Sequence, residues 1–159
     1  MIRLANLNDL DSILKIYAYA RNFMKESGNP TQWNDNFPPE ELLINDIDSQ
    51  QLYVYEENNR IHGVFALIIG EDPTYATIDN GAWLSDTKYG TIHRVASDGQ
   101  TKGVFTKIID FCNSKISHLR VDTHSNNKIM QHIISKNNFV RCGIIYVRDG
   151  SPRIAYERL

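Results

Sequence analysis

Apolar residues recur along this chain in two rhythms, and the switches between them mark its elements. Residues 2–5 read as a short first strand. Leu10, Ile13, Leu14, Tyr17, Ala20 and Met24 then follow at spacings of three and four, which predicts an amphipathic helix. Asn6, three residues before Asp9, supplies an N-cap with an acid in the first turn. The cluster Glu26-Ser27-Gly28-Asn29-Pro30 stops that helix. Leu42, Leu43, Ile44 and Ile47 mark a second one, with Pro39 in its first turn, where a missing N–H costs nothing. Residues 51–57 and 61–70 are β-branched and aromatic runs joined by Asn58-Asn59-Arg60, the pattern of an antiparallel hairpin.

Residues 71–89 follow neither rhythm. Tyr75, Trp83 and Tyr89 stand among turn residues, with room for one more short strand. Beyond them residues 91–96 predict a strand. Residues 101–117 predict a helix with Phe105, Ile108, Ile109, Cys112 and Ile116 on one face. A strand over 119–123 and a helix over 126–136, carrying Ile129, Met130, Ile133 and Ile134, repeat that order. Two final strands, 139–148 and 153–158, flank an Asp149-Gly150 turn. The order is βααββ, βαβα, ββ, without repeats or a linker, so residues 1–159 form one mixed α/β domain.

Composition narrows the function classes. Both charge signs are interspersed and the net charge is −2, so the basic stripe of a nucleic-acid binder is absent. The longest apolar run, 63–70, is too short to span a bilayer, and the N-terminus lacks the apolar run of a signal peptide. A cytoplasmic protein with no membrane partner is expected. Cys112 and Cys142 are compatible with a disulfide or with two core thiols, and a reducing compartment favours the thiols. No Cys/His spacing suggests a metal.

The chemistry concentrates after the strand at 91–96. A polar, glycine-containing turn leads straight into a helix, which leaves a row of backbone N–H groups free for an anion. A second strand–helix unit follows closely, so the turn opens onto a cleft at the C-terminal ends of two parallel strands. Gly103 lets the backbone approach a phosphate, and Lys102 adds a positive charge. Taken alone, the same turn also describes an ordinary helix start that binds water.

Two spaced motifs favour the ligand. Gln100-Thr101-Lys102-Gly103-Val104-Phe105 fits, at Gln100 and Gly103, the pattern of Arg or Gln, two residues, Gly, one residue, then Gly or Ala. Val95 stands five residues earlier, where that pattern ends its strand. Asn127, Met130 and the pair Asn138-Phe139 keep the spacing of a second motif, with Asn138 in place of a glycine. In both motifs and in element order the chain resembles the GNAT superfamily of acyl-CoA-dependent N-acetyltransferases.

The resemblance implies a mixed, mostly antiparallel sheet with helices on both faces and two adjacent parallel strands splayed at the cofactor. It implies an acyltransferase moving acetyl from acetyl-CoA (coenzyme A) to a primary amine of a small molecule or peptide, by direct attack with both substrates bound. Val95, Ala96, Gln100, Thr101, Lys102, Gly103, Val104, Phe105 and Asn127 would hold the cofactor, with Asn127 also near the leaving sulfur. Homodimers are common among proteins of this shape. Phe105 departs from the small residue of the first motif, and its helical spacing to Ile108 and Cys112 assigns it to the core. The tyrosine that often protonates the thiolate is replaced by Ile134, with Tyr146 a substitute donor. That loss leaves an alternative open, a non-catalytic acyl-CoA-binding sensor.

The predicted parallel strands carry more polar residues than buried strands usually do. Arg94, Arg120 and Asp122 suit a buried ion pair, for instance Arg94 with Asp122, or a catalytic role. His93, two residues before Val95, is placed to take a proton from an attacking amine, though a satisfied core histidine fits as well. His124 is a second candidate near Asn127. Trp33, Tyr75 and Trp83 are loop aromatics suited either to an acceptor pocket or to packing the loops onto the core.

Overall fold

The computed structural model describes residues 1–159. Its elements are β1 (Ile2–Leu4), α1 (Leu10–Glu26), α2 (Glu40–Asp48), β2 (Leu52–Glu57), β3 (Arg60–Ile69), β4 (Gly90–Ser97), α3 (Val104–Lys115), β5 (Leu119–Thr123), α4 (Lys128–Lys136), β6 (Val140–Tyr146) and β7 (Pro152–Arg158). The seven strands form one sheet in the order β1-β2-β3-β4-β5-β7-β6. Every neighbouring pair is antiparallel except β4 and β5.

Local chemistry accounts for most boundaries. Asn6 and Asp9 form a reciprocal capping box, with Asn6 N donating to Asp9 Oδ2 and Asn8 N to Asn6 Oδ1, each at 2.9 Å. The box closes a short 3₁₀ turn, and α1 then starts at Leu10. Asn58 and Asn59 both adopt positive φ, as a tight β2–β3 turn requires. Asn138 is left-handed with φ 69°, the geometry that explains an Asn where a glycine is usual.

Two expectations shift. The helix expected from 101 begins at Val104, because Gly103 stands in the left-handed region (φ 72°) and 101–103 belong to the turn. No strand forms within 71–89. That segment carries a 3₁₀ turn, Pro73–Tyr75, and bridges to β6 in strand fashion only at Asp79–Ile144. Close approach is possible there because Gly81 lacks a side chain: a Cβ on it would lie 1.8 Å from the Cys142 carbonyl oxygen.

Two layers of core flank the sheet. On one face α1 and α2 bury Ile13, Ile16, Tyr17, Leu43 and Ile47 against Leu52, Val54, Val64 and Ala66. On the other, α3 and α4 bury Phe105, Ile108, Ile109, Cys112 and Ile134 against Phe65, Ile92, Leu119 and Val121. A smaller cluster of Tyr75, Tyr89, Ile145 and Ala155 lies under the 71–89 loop.

The sheet changes character at β4 and β5. Only Gly90–Leu119 and Thr91–Arg120 pair, and the strands separate beyond them. On its other side β4 bulges: Val64 pairs with Ala96 and Ala66 with His93, so Phe65 faces both Arg94 and Val95. Arg94 takes φ 53° at this point.

Candidate active site

A left-handed arginine is strained, and the structure holds it from two helices. The Tyr17 hydroxyl of α1 donates to the Arg94 carbonyl at 2.7 Å. The Arg94 guanidinium reaches Asp46 of α2, with Nε 2.9 Å and Nη2 2.8 Å from Oδ2. Asp46, itself buried, also accepts from Gln51 Nε2 at 2.9 Å. The expected Arg94–Asp122 ion pair does not form, since the strands diverge before the two side chains come level. Asp122 instead accepts from the Tyr75 hydroxyl at 2.6 Å.

Past the bulge the chain runs through the turn into α3. The first helical bond is Lys107 N to Gly103 O at 3.2 Å, and the N–H groups of Thr101 to Thr106 donate to no protein acceptor. Gln100 N is committed to Asp98 Oδ1 at 3.0 Å. The left-handed Gly103, followed by the right-handed start of α3, is the backbone pattern of an anion-binding nest. These donors border a cavity of about 400 Å³.

Of the residues singled out from sequence, Val95, Ala96, Thr101, Gly103, Val104, Phe105 and Asn127 all line this cavity. Gln100 and Lys102 do not, and both lie exposed on the outside of the turn. Phe105 is buried in the core at the same time as it borders the cavity. Asn127 caps α4 by accepting from Met130 N at 3.0 Å, and its Nδ2 donates to Gln32 Oε1 at 3.1 Å. Ile134 is fully buried, so no hydroxyl stands at that position. Tyr146 is exposed on the edge strand, where the Asp79 carboxylate raises its pKa. It is not among the residues that line the cavity.

His93 projects towards the 71–89 loop instead of into the cavity. Its Nε2 lies 2.9 Å from Asp72 Oδ2. Burial pushes the Asp72 carboxyl up, but hydrogen bonds from His93 and Thr74 outweigh it and bring the pKa down to about 2. With Nε2 given to a carboxylate, Nδ1 is the nitrogen left to accept a proton.

Of the aromatic candidates, Trp33 serves the interior, whereas Tyr75 and Trp83 also line a second cavity with Asp72, Tyr89 and Arg120. Trp33 is buried against Tyr17, ring centroids 5.7 Å apart, and so belongs to the α1–α2 core and not to an acceptor pocket. Trp83 Nε1 donates to the Tyr75 carbonyl at 2.9 Å, and Tyr75 is buried. The Arg120 guanidinium is stacked between Trp83 and Tyr89, 3.9 and 4.0 Å from their centroids. Arg120 Nε also meets Glu157 Oε2 at 2.6 Å, and His118 Nε2 meets the same oxygen at 2.8 Å. His124 is half-buried, and burial followed by the Arg153 charge lowers its pKa.

Sequence reasoning missed Tyr19, Phe23, Lys128 and Lys136, which line the cavity from α1 and α4. A signal existed for two of them. Tyr19 and Phe23 are large, exposed and four apart on the outer face of α1, and they stack with centroids 6.4 Å apart. Nothing in sequence joins Asp72 to His93, twenty-one positions on. Cys112 and Cys142 are free, buried thiols.

No protein-family model matches the sequence. No curated protein matches it either. Solved structures do. A GNAT-family acetyltransferase from Streptococcus agalactiae 2603 shares 31% identity at a TM-score of 0.91, over 100% of this chain and 94% of its own. A GNAT-family acetyltransferase from Listeria monocytogenes 4b F2365 shares 16% identity at 0.73, over 99% and 93%. The yncA protein from Salmonella typhimurium, solved with its cofactor acetyl-CoA, shares 15% identity at 0.60, over 99% and 91%. The last two likenesses concern the fold alone. No helix here is long and apolar enough to cross a membrane.

Proposed function

The chain belongs to the GNAT family of acetyltransferases, and on that premise we propose that it moves acetyl from acetyl-CoA to a primary amine of a small molecule or peptide. One observation carries the reading. Thr101 to Thr106 offer unpartnered N–H groups at the edge of a cavity bounded by the far end of β4, α1 and the start of α4. The residues fit coenzyme A. Backbone donors and the nearby Lys128 and Lys136 suit its pyrophosphate, and Val95, Val104 and Met130 suit an apolar arm.

Bound there, the thioester supplies an activated acetyl group. The β4 bulge frees backbone N–H groups near Val95, which polarise the acetyl oxygen and stabilise the charge it gains on attack. Tyr17 and Asp46 fix the bulge, so these donors are already aimed. His93 Nδ1, oriented by Asp72, takes the proton that the amine releases, directly or through water. Asn127 sits at the α4 end of the cavity, near the place of the leaving sulfur. Ile134 leaves no tyrosine at that position to protonate the leaving sulfur, and a thiol's pKa of about 8.5 would make the thiolate a fair leaving group without one.

The buried Ile134 also favours a second reading, an acyl-CoA-binding sensor without turnover. Calorimetric titration with acetyl-CoA, run beside thiol release over an amine panel, separates the two. Binding with turnover supports the transferase, and tight binding with no turnover on any amine supports the sensor. A folded protein that binds no acetyl-CoA refutes both.

A further inference from the structure

Arg153 is only 8% exposed, yet it forms no ion pair. Its guanidinium donates to the Pro152 carbonyl at 3.0 Å and, weakly, to the Gln32 carbonyl at 3.4 Å. Asp122 and Asp149 attract it only from a distance, and burial dominates its surroundings. Asp122 is already engaged by Tyr75, and Asp149 accepts from Ser151 N in the β6–β7 turn. A buried charge without a counter-charge is costly, so its retention calls for a reason.

Its position supplies one. Asp122 pairs with Ala155 across β5 and β7, so Arg153, two residues from Ala155, shares a sheet face with Asp122. The strand order therefore runs from His93 on β4, past Asp122 on β5, to Arg153 on β7. Gln32 links this end to the cofactor cavity, since its carbonyl faces Arg153 and its side chain holds Asn127. His124 stands at the same end. Its Nδ1 accepts from Asn126 N at 3.0 Å, which leaves the proton on Nε2, 3.3 Å from Thr31 Oγ1. The end of β5 thus offers donors from Arg153 and His124, beside an Asp122 carboxylate that the Tyr75 hydroxyl engages at one oxygen. A planar guanidinium with spare N–H groups matches a carboxylate by two parallel hydrogen bonds.

Building on the acetyltransferase reading, we propose that Arg153 receives a carboxylate of the acceptor, so that the amines this protein selects carry a carboxylate a few bonds from the nitrogen. The amine then points to His93 and the β4 bulge, and the carboxylate to β7. Two ordinary strand spacings would put the β4 and β7 backbones roughly 10 Å apart, and the parting of β4 from β5 beyond Thr91 widens that span, of which the Arg153 side chain covers part. The remainder suits a free amino acid or the C-terminal residue of a short peptide.

The test titrates the acetyl-CoA complex calorimetrically with matched pairs: amino acids against their amides, and dipeptides with free against amidated C-termini. The carboxylate member of a pair should bind at least about tenfold tighter. That gap should vanish in Arg153→Met and survive in part in Arg153→Lys. Equal binding of both members, no binding of either, or a gap that persists in Arg153→Met overturns the proposal. Should Arg153→Met fail to fold, the wild-type pairs and Arg153→Lys still decide. A preference for free amino acids over dipeptides, or the reverse, identifies the source. Acetyl transfer to the same compounds is read separately: a carboxylate preference without transfer refutes the transferase and leaves the Arg153 site standing.

Discussion

Arg94 of β4 and Asp46 of α2 are joined by two contacts to one oxygen, 2.9 Å from Nε and 2.8 Å from Nη2. The pair fastens the strained bulge to a helix on the sheet's outer layer. Asp46→Ala leaves a nearly buried guanidinium without its partner and should destabilise the fold by about 3 kcal/mol, read from urea unfolding. Transfer should fall further than acetyl-CoA affinity, because the donors at the bulge lose their aim. Equal losses in both would show that the pair supports the fold alone.

His93 and Asp72 make a pH prediction in two parts. The Asp72 pKa lies below its ordinary value of 3.8, at about 2, so its contribution to stability is complete above 3.8 and fades as pH falls towards about 2. Trp83 fluorescence should report the loop loosening over that interval, and Asp72→Asn should already be loosened at neutral pH. In activity, His93→Gln should flatten the neutral limb of the profile. An unchanged limb would remove His93 as the base.

Gly103 is confined by its backbone and not by space, since an added Cβ there meets nothing within 4 Å. Gly103→Ala should cost about 1 kcal/mol in stability and weaken acetyl-CoA binding about tenfold as the N–H groups turn away. Gly103→Asn should be milder, because Asn tolerates positive φ. Calorimetry on the three proteins ranks them.

Glu157 is fully buried and serves Arg120, His118 and the Leu84 N–H together. Glu157→Gln removes the charge that balances Arg120 and should destabilise by about 3 kcal/mol. The loop should loosen first, so limited proteolysis should cut within residues 71–89 before any other site. Cleavage elsewhere at the same rate would argue against a local anchor.

The two thiols give a simpler check. Burial pushes Cys112 up to about 12 and, with help from Glu157, Cys142 up to about 11. Neither should react with iodoacetamide at pH 8 until the protein is unfolded, and both should react then.

Several elements were legible because their signals are local. Asn58-Asn59, the Asn6–Asp9 box and the left-handed Asn138 each follow from backbone preferences within a few residues. The turn before α3 was legible as a glycine-containing helix start because Gly103 and Asn127 lie on consecutive strand–helix units. The loop at 71–89 was not, since its order comes from Glu157, seventy-three positions beyond Leu84. Trp33 misled because an aromatic in an irregular segment looks the same whether it faces a ligand or, as here, Tyr17. Arg94 was read as facing Asp122, and nothing in sequence discloses that β4 and β5 part after two residue pairs.

That short ladder has a mechanical meaning. Four strands lie to one side of the seam and three to the other, and between β4 and β5 only two residue pairs clasp them. The two halves of the sheet are therefore joined less by strand pairing than by the core under α3 and α4, which packs Phe65 and Ile92 of one half with Leu119 and Val121 of the other.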